Sequence, residues 1–192
     1  AVGSVFIPPA VLLDLFKSRL LGFDLPAALQ PFATILFTLR LPRTVLVAIT
    51  GAALAGSGAA YQGLFRNPLA DPYLIGVASG AGLGAIIAMT VRWPGTVLGL
   101  TAVPVAAFAG ALLTVLIVSQ IARVGGSLPV TNLILAGVAI SSFATALTSF
   151  LMINGTGELR RALVWLLGGS SMSGWKPVLA ELPYVVLGLG GL

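Results

Sequence analysis

Charged side chains are so sparse along this chain that they cut it into long uncharged runs, from Thr44 to Phe65, Pro72 to Val91, Trp93 to Ala122 and Val124 to Gly157. Each is long enough for the roughly 20 residues that carry a helix across the hydrocarbon core of a bilayer. Backbone buried in lipid must satisfy its own hydrogen bonds, which leaves helices or a closed barrel, and runs without two-residue alternation point to helices. The pattern therefore predicts four spans: from near Arg43 to Phe65, from about Tyr73 to Val91, from about Val103 to Ile121 and from about Thr131 to Ile153. Turn chemistry marks their ends. RNPLADP after Phe65 supplies Asn-Pro and Asp-Pro, RWPGT follows Val91 with Trp93 placed like an interfacial aromatic, and RVGGSLP follows Ala122.

The remaining segments are too short to span. Pro8 and Pro9 open AVLLDLFKSRLLG, whose Leu12, Leu13, Leu15, Phe16 and Leu20 largely face one way on a helix, while Asp14, Lys17 and Arg19 stay wet. This predicts an interfacial helix. Pro26 to Leu39 is apolar but stops below the spanning length, so an interfacial or re-entrant approach is expected. From Gly155 to Trp175 the apolar core is short and predicts a half-helix near the membrane surface, after which Lys176 begins a further span interrupted by Glu181. The expected organisation is thus a lead-in over 1–39, four spans over 40–154, a short interfacial helix over 155–175 and the start of another span over 176–192. The first residues, AVGSVFIPPA, lack the basic start of a signal peptide and read as a chain entered in mid-protein.

Composition agrees with a polytopic all-α helix bundle: 58% of residues are hydrophobic and 8% charged, with a mean hydropathy of +1.08. A net charge of +5 raises the question of nucleic acid, but the ten basic residues are scattered singly or in pairs and form no basic stripe. The chain has neither cysteine nor histidine, which removes disulfides, thiolate metal sites and imidazole acid–base chemistry. Asp71, Glu158 and Glu181 are widely separated in sequence, so no acid–base pair or metal cluster of an intramembrane enzyme is evident.

Small residues recur at helical contact spacing. Gly51, Ala55, Ala59 and Gly63 make one stripe, and Gly76, Gly80, Gly84 and Ala88 make another; both read first as packing seams, since close backbone approach drives helix association in lipid. Gly137, Ser141, Thr145 and Ser149 make a third that carries hydroxyls, widened by Ser142 and Thr148. Those hydroxyls either bond back to carbonyls of their own helix or line a water-accessible path. Gln62, an amide inside a span, reads as an interhelical hydrogen bond ahead of a substrate contact.

Taken in order, these pieces resemble the FecCD, or BtuC-like, family of ABC importer permeases for iron chelates, haem and vitamin B12. The resemblance rests on RLPR at Arg40 to Arg43, GAALAGSG at Gly51 to Gly58 with Gln62, NPLADP at Asn67 to Pro72 and GVASGAGLGA at Gly76 to Ala85. LILAGVAISS at Leu133 to Ser142 and VWLLGGSS at Val164 to Ser171 extend it over nearly the whole chain. It implies a ten-helix permease built as two inverted halves, of which this sequence would hold helices two to five and the start of helix six. It further implies a homodimer around a translocation path, two cytoplasmic ATPase subunits that hold ATP and magnesium, and an extracytoplasmic binding protein that delivers substrate. No cofactor is expected on this chain itself, which has no GxxxxGK[ST] phosphate loop, and no catalysis is expected of it. Membrane lipid is the remaining expected partner, and the bacterial or archaeal cytoplasmic membrane the expected location.

By the same resemblance Arg40 and Arg43 correspond to arginines that meet acidic residues of the binding protein, a role suited to the rigid, permanently charged guanidinium fork. Headgroup anchoring is the plainer alternative for both. Asn67, Pro68 and Leu69 match a turn of the cytoplasmic gate, and Thr131 matches its facing side. Gly137, Ser141, Thr145 and Ser149 are the candidates for pathway lining. Arg160 and Arg161 fall where the family has a short extracytoplasmic helix, and a solvated edge is the favoured reading there. One pattern opposes the implied orientation. With four alternating spans, Lys17, Arg19, Arg40, Arg43, Arg92, Arg160, Arg161 and Lys176 share one side against Arg66 and Arg123, and the positive-inside rule would make the richer side cytoplasmic. The resemblance makes it extracytoplasmic, and that orientation is adopted. The alternative function is an ATP-independent secondary transporter or channel, for which Glu181 is the one candidate coupling carboxylate.

Overall fold

The structure, a computed structural model, describes residues 5–68, 70–91, 96–97, 100–155, 159–168 and 174–191. Leu69, Arg92, Trp93, Gly157 and Glu158, all given weight by the sequence, lie outside the described residues. The fold divides into two units, Ala1–Ala52 with Met172–Leu187 and Ala53–Ser171 with Gly188–Leu192.

In the first unit, Pro8 and Pro9 set the entry to α1, Pro9–Leu21, where a missing N–H costs nothing. Gly22 ends it in a left-handed conformation, φ 73°, with its N–H on the Ser18 carbonyl at 3.0 Å. Leu15 is buried with Ile7 and Leu36, and Leu12 packs on that cluster. Leu13, Leu20 and Leu21 stay exposed. The apolar residues of α1 therefore do not share one face as expected: one set holds the helix to its own unit and the other is left for lipid or protein.

Helical segments then follow one another without a gap from Ala27 to Phe65, through a 3-10 turn Ala27–Leu29, α2 Gln30–Thr34, a π turn Ile35–Arg40 and α3 Leu41–Phe65. The sequence placed a separate short segment before Arg43; the structure replaces it with one 39-residue run. Pro42 lies inside this run, and the π turn is how its missing N–H is accommodated. Leu41 N–H bonds back to the Leu36 carbonyl, five residues earlier. The next rung would run from residue 42 to the Phe37 carbonyl, but proline has no N–H to give. Trp175, 138 positions along the chain, supplies the missing donor: its indole Nε1–H donates to the Phe37 carbonyl at 3.0 Å. Trp175 leads into α8, Lys176–Gly190, and farther along the Thr50 hydroxyl donates to Glu181 Oε1 at 3.3 Å.

The second unit contains α4 Val77–Thr90, α5 Ala102–Ala122, α6 Val130–Asn154 and α7 Leu159–Leu166. The predicted bounds of the third and fourth spans agree with α5 and α6 to within one residue at each end. The second predicted span does not run straight. Pro72–Ile75 forms a 3-10 turn, Gly76 breaks direction at φ 86°, and α4 keeps only 14 residues, roughly 21 Å of helix. Gly80, Gly82, Gly84, Ala85, Ile86, Ala88 and Met89 of α4 are all buried, so the short helix is covered by protein. A two-residue hairpin pairs β1 Thr96–Val97 with β2 Leu100–Thr101 ahead of α5. Val124 and Ser127 exchange both backbone hydrogen bonds across Gly125 and Gly126, whose positive φ values fit a tight primed turn before α6.

Glycine decides how closely these helices meet. A side chain at Gly80 would strike Thr114 and the Gly110 carbonyl, one at Gly84 the Ala106 carbonyl, and one at Gly110 the Gly80 carbonyl. The seam predicted on α4 is thus answered on α5 by Ala106, Gly110 and Thr114, a small-residue row at the same spacing that the sequence reading passed over. Gly137 of α6 sits in the same manner against the Leu74 carbonyl and Ile75 Cα. Below it, Ile75, Val118, Ala122, Leu133 and Ala136 form a core that Tyr61 and Phe65 of α3 also touch. At the other end, Ala162 of α7 closes over Ile86 and Met89, with Trp165 against them.

Two stability predictions follow from these contacts. Gly84→Ala drives a methyl into a backbone carbonyl and should destabilise the folded protein by about 1–3 kcal/mol; Gly82→Ala on the same helix meets only the flexible tip of Leu166 at 3.3 Å and should stay within about 1 kcal/mol of the parent. Thermal unfolding in detergent separates the two. Trp175→Phe should cost about 1–3 kcal/mol by orphaning the Phe37 carbonyl, and the loss should shrink in a Pro42→Ala background, where residue 42 regains its N–H. Strict additivity of the two substitutions would disprove the shared-carbonyl account.

Candidate functional site

The chemistry-bearing residues collect at three places. At the first, the π turn delivers Arg40 and α3 begins with Pro42 and Arg43. Residues three apart on a helix are neighbours, so both guanidinium groups leave the helix close together. Their surroundings differ. Arg40 is half-buried and its Nη2 donates to the Val5 carbonyl, tying down the strand of chain that precedes α1. Arg43 is exposed. The structure therefore gives Arg40 an internal structural contact and leaves Arg43 the arginine better placed to meet another molecule.

The second place is the NPLADP turn. Arg66 ends α3 with a positive φ of 46°, and the Asn67 N–H reaches back to the Gln62 carbonyl at 3.1 Å. Ala70 N–H bonds to the Asn67 carbonyl at 3.1 Å, and Asp71 Oδ1 accepts from Tyr73 N–H at 2.8 Å, an Asx turn that starts the 3-10 segment. Asp71 is extended, φ −132° and ψ 125°, as the residue before a proline prefers. Pro68 is exposed and Asn67 half-buried. Thr131 is exposed at the start of α6, two residues before Leu133, whose buried side chain shares its core with Phe65 at the end of α3. The turn and Thr131 thus lie at one end of the second unit. A groove of about 640 Å³ opens beside the turn, with Ser57, Gln62, Pro68, Asp71 and Tyr73 among its walls. Gln62 is exposed there, and among the described residues its side chain makes no interhelical hydrogen bond, contrary to the sequence expectation. Ser57 carries no sequence signal of its own, and Asp71 and Tyr73 enter the sequence reading only as a turn carboxylate and a span boundary, because nothing in their spacing shows that they line one groove.

The third place is the hydroxyl face of α6. Thr145 donates to the Ser141 carbonyl at 2.8 Å, Ser149 to the Thr145 carbonyl at 3.0 Å, Ser142 to the Val138 carbonyl at 2.9 Å and Thr148 to the Ala144 carbonyl at 2.8 Å. Of the two sequence readings, bonding back to the helix is therefore realised. Gly137 is buried against Leu74 and Ile75, and Ser141 is half-buried with its Oγ 2.9 Å from where a Gly76 side chain would begin. Thr145 and Ser149 are exposed. Arg160 and Arg161 are exposed on α7. Among the described residues no three of His, Cys, Asp or Glu come together in a way that could hold a metal ion.

Three helical segments, Ala27–Phe65, Ala102–Ala122 and Val130–Asn154, are long and apolar enough to cross a membrane. A family model described as the FecCD transport family matches residues 1–192. The cobalamin import system permease protein BtuC of Halobacterium salinarum is 47% identical over 168 residues, covering 88% of this chain and 44% of that protein. The Fe(3+)-citrate import system permease protein YfmE of Bacillus subtilis is 33% identical, covering 97% and 52% respectively. YvrB of the same organism, an uncharacterised ABC transporter permease, is 40% identical, covering 97% and 53%. Among solved structures, an inward-facing one assigned to the metal-chelate type of ABC transporter superposes with a TM-score of 0.66 at 26% identity, covering 93% of this chain and 58% of that one. The chain spans about half the length of the curated relatives it matches.

Proposed function

This chain belongs to the FecCD transport family, and on that premise we propose that it supplies the first inverted half of the permease subunit of a binding-protein-dependent ABC importer. Two such subunits form the translocation path, two cytoplasmic ATPase subunits bind ATP and magnesium, and a binding protein delivers substrate from outside. The match along all of residues 1–192 carries this reading. The substrate is a bulky metal chelate. Relatives named for cobalamin and for Fe(3+)-citrate support the class and leave corrinoid, haem and siderophore iron as its members.

In the proposed cycle, ATP-driven closure of the partner subunits rocks the two permease subunits, and the path opens to one side at a time. No bond is made or broken by this chain. Arg43 docks on a carboxylate of the binding protein, with Arg40 beside it holding the Val5 carbonyl. Asn67, Pro68 and Leu69 form one side of the cytoplasmic gate, and Thr131 faces them. Thr145 and Ser149 on α6 present hydroxyls whose protons are already committed, which suits a wall that substrate slides past. The ATP-independent reading rests on Glu181, and uptake that persists without ATPase subunits would restore it.

Two measurements on the full-length permease test the docking role. Arg43→Glu should weaken binding-protein association roughly tenfold at low salt with an unchanged thermal midpoint, because it reverses one exposed charge at an interface rim. Arg40→Glu should weaken association and lower the thermal midpoint together, since it also removes the donor to Val5. Single cysteines introduced at Gly157 and Ala70 are expected to react and to resist, respectively, when intact cells meet a membrane-impermeant maleimide. The reverse labelling would put the arginines inside and end the docking assignment.

A further inference from the structure

We propose that the first unit binds a single glycerophospholipid through its phosphate, in a cavity between α1 and the segment that carries the π turn. The cavity measures about 580 Å³ and lies wholly within that unit. Leu15, Leu25 and Phe37 give it an apolar floor, and Arg19, Thr38 and Trp175 stand around it. This is the layout an amphiphile needs, with acyl chain against the floor and headgroup at the rim.

Which polar groups remain available decides the ligand. The Ser18 hydroxyl is spent on the Phe23 carbonyl at 2.7 Å and the Thr34 hydroxyl on the Gln30 carbonyl at 3.2 Å. The Trp175 N–H is spent on Phe37, so its indole offers only ring surface. Arg19 and Thr38 are exposed and, among the described residues, have no hydrogen-bond or ion-pair partner. A guanidinium fork and a hydroxyl lining one cavity offer donors to the oxygens of a phosphodiester. A phosphodiester that carries acyl chains uses the apolar floor as well, whereas a free phosphate leaves that floor unused. The site requires only that the chain lie in a bilayer, so it stands or falls apart from the importer reading.

Photoaffinity labelling of the full-length permease in nanodiscs tests the proposal. Two probes with identical photoreactive acyl chains are compared, phosphatidylglycerol and the diacylglycerol that lacks its phosphate, and adducts are mapped to residues 12–39. Labelling is normalised to adducts on the exposed face of α5, at Phe108 and Leu112, as a reference outside the cavity. Phosphatidylglycerol should exceed diacylglycerol at the cavity. Arg19→Gln should lower that excess roughly tenfold, the loss of one charge-assisted hydrogen bond. Arg19→Lys should retain part of it, and Lys17→Gln, a charge on α1 that does not line the cavity, should retain all of it. Equal labelling by the two probes would overturn the site, as would an excess insensitive to Arg19→Gln or equally sensitive to Lys17→Gln. Displacement by inorganic phosphate would overturn it in favour of a free-anion site.

Discussion

Away from water an unpaired backbone carbonyl is costly, and the two units meet that constraint in different ways. In the first, Pro42 lies inside a helical segment and has no N–H to give to a carbonyl of the preceding turn. The π turn moves the orphan from Thr38 to Phe37, and the indole of Trp175 takes it up at 3.0 Å. One hydrogen bond thereby lets the run continue through Pro42 and fastens the start of α8 to the same unit. It also fixes where Arg40 and Arg43 leave the helix, so the placement of the docking candidates follows from the same accommodation.

In the second unit the solution is contact between backbones. Lipid is as apolar as leucine, so burying leucine against leucine gains little over leaving it in the membrane, and association depends on close shape fit. That is why the seam between α4 and α5 is made of Gly80, Gly84 and Gly110, while many large side chains lie outside, with Ile153 82% and Leu167 84% exposed. Such a surface is suited to lipid or to further helices. The break at Gly76 serves the same seam: it swings Leu74 and Ile75 onto Gly137, so the turn after α3 is held by α6.

How much of this was legible follows from the range of the interactions. The bounds of α5 and α6 were readable because charge, glycine and proline sit at their ends, all local signals. The seam on α4 was readable from its spacing, yet its partner row on α5 was not, since Ala106 and Thr114 are unremarkable until Gly110 is seen between facing backbones. Residues 26–39 read as a separate segment because they fall short of the spanning length, and the helical continuation through Pro42 was not legible because its partner for Phe37, Trp175, lies 138 positions away. Gly76 looked like one more member of a packing stripe; its positive φ is a property of the turn and has no spacing of its own. Arg40 and Arg43 were recognised as a pair, but only coordinates could show that one of them is engaged by Val5.

The hydroxyls of α6 bear on the kind of path such a helix could line. A free hydroxyl or amide would offer a passing chelate a directional bond, and several in a row would make a binding site from which release is slow. Hydroxyls whose protons are given to the preceding turn retain only acceptor lone pairs and a small, smooth profile. Transport needs contacts favourable enough to admit the solute and weak enough to let it go. A wall built this way leaves recognition to the binding protein and the timing to the ATPase subunits. The division of labour proposed for the importer is thus consistent with four hydrogen bonds that never leave their own helix.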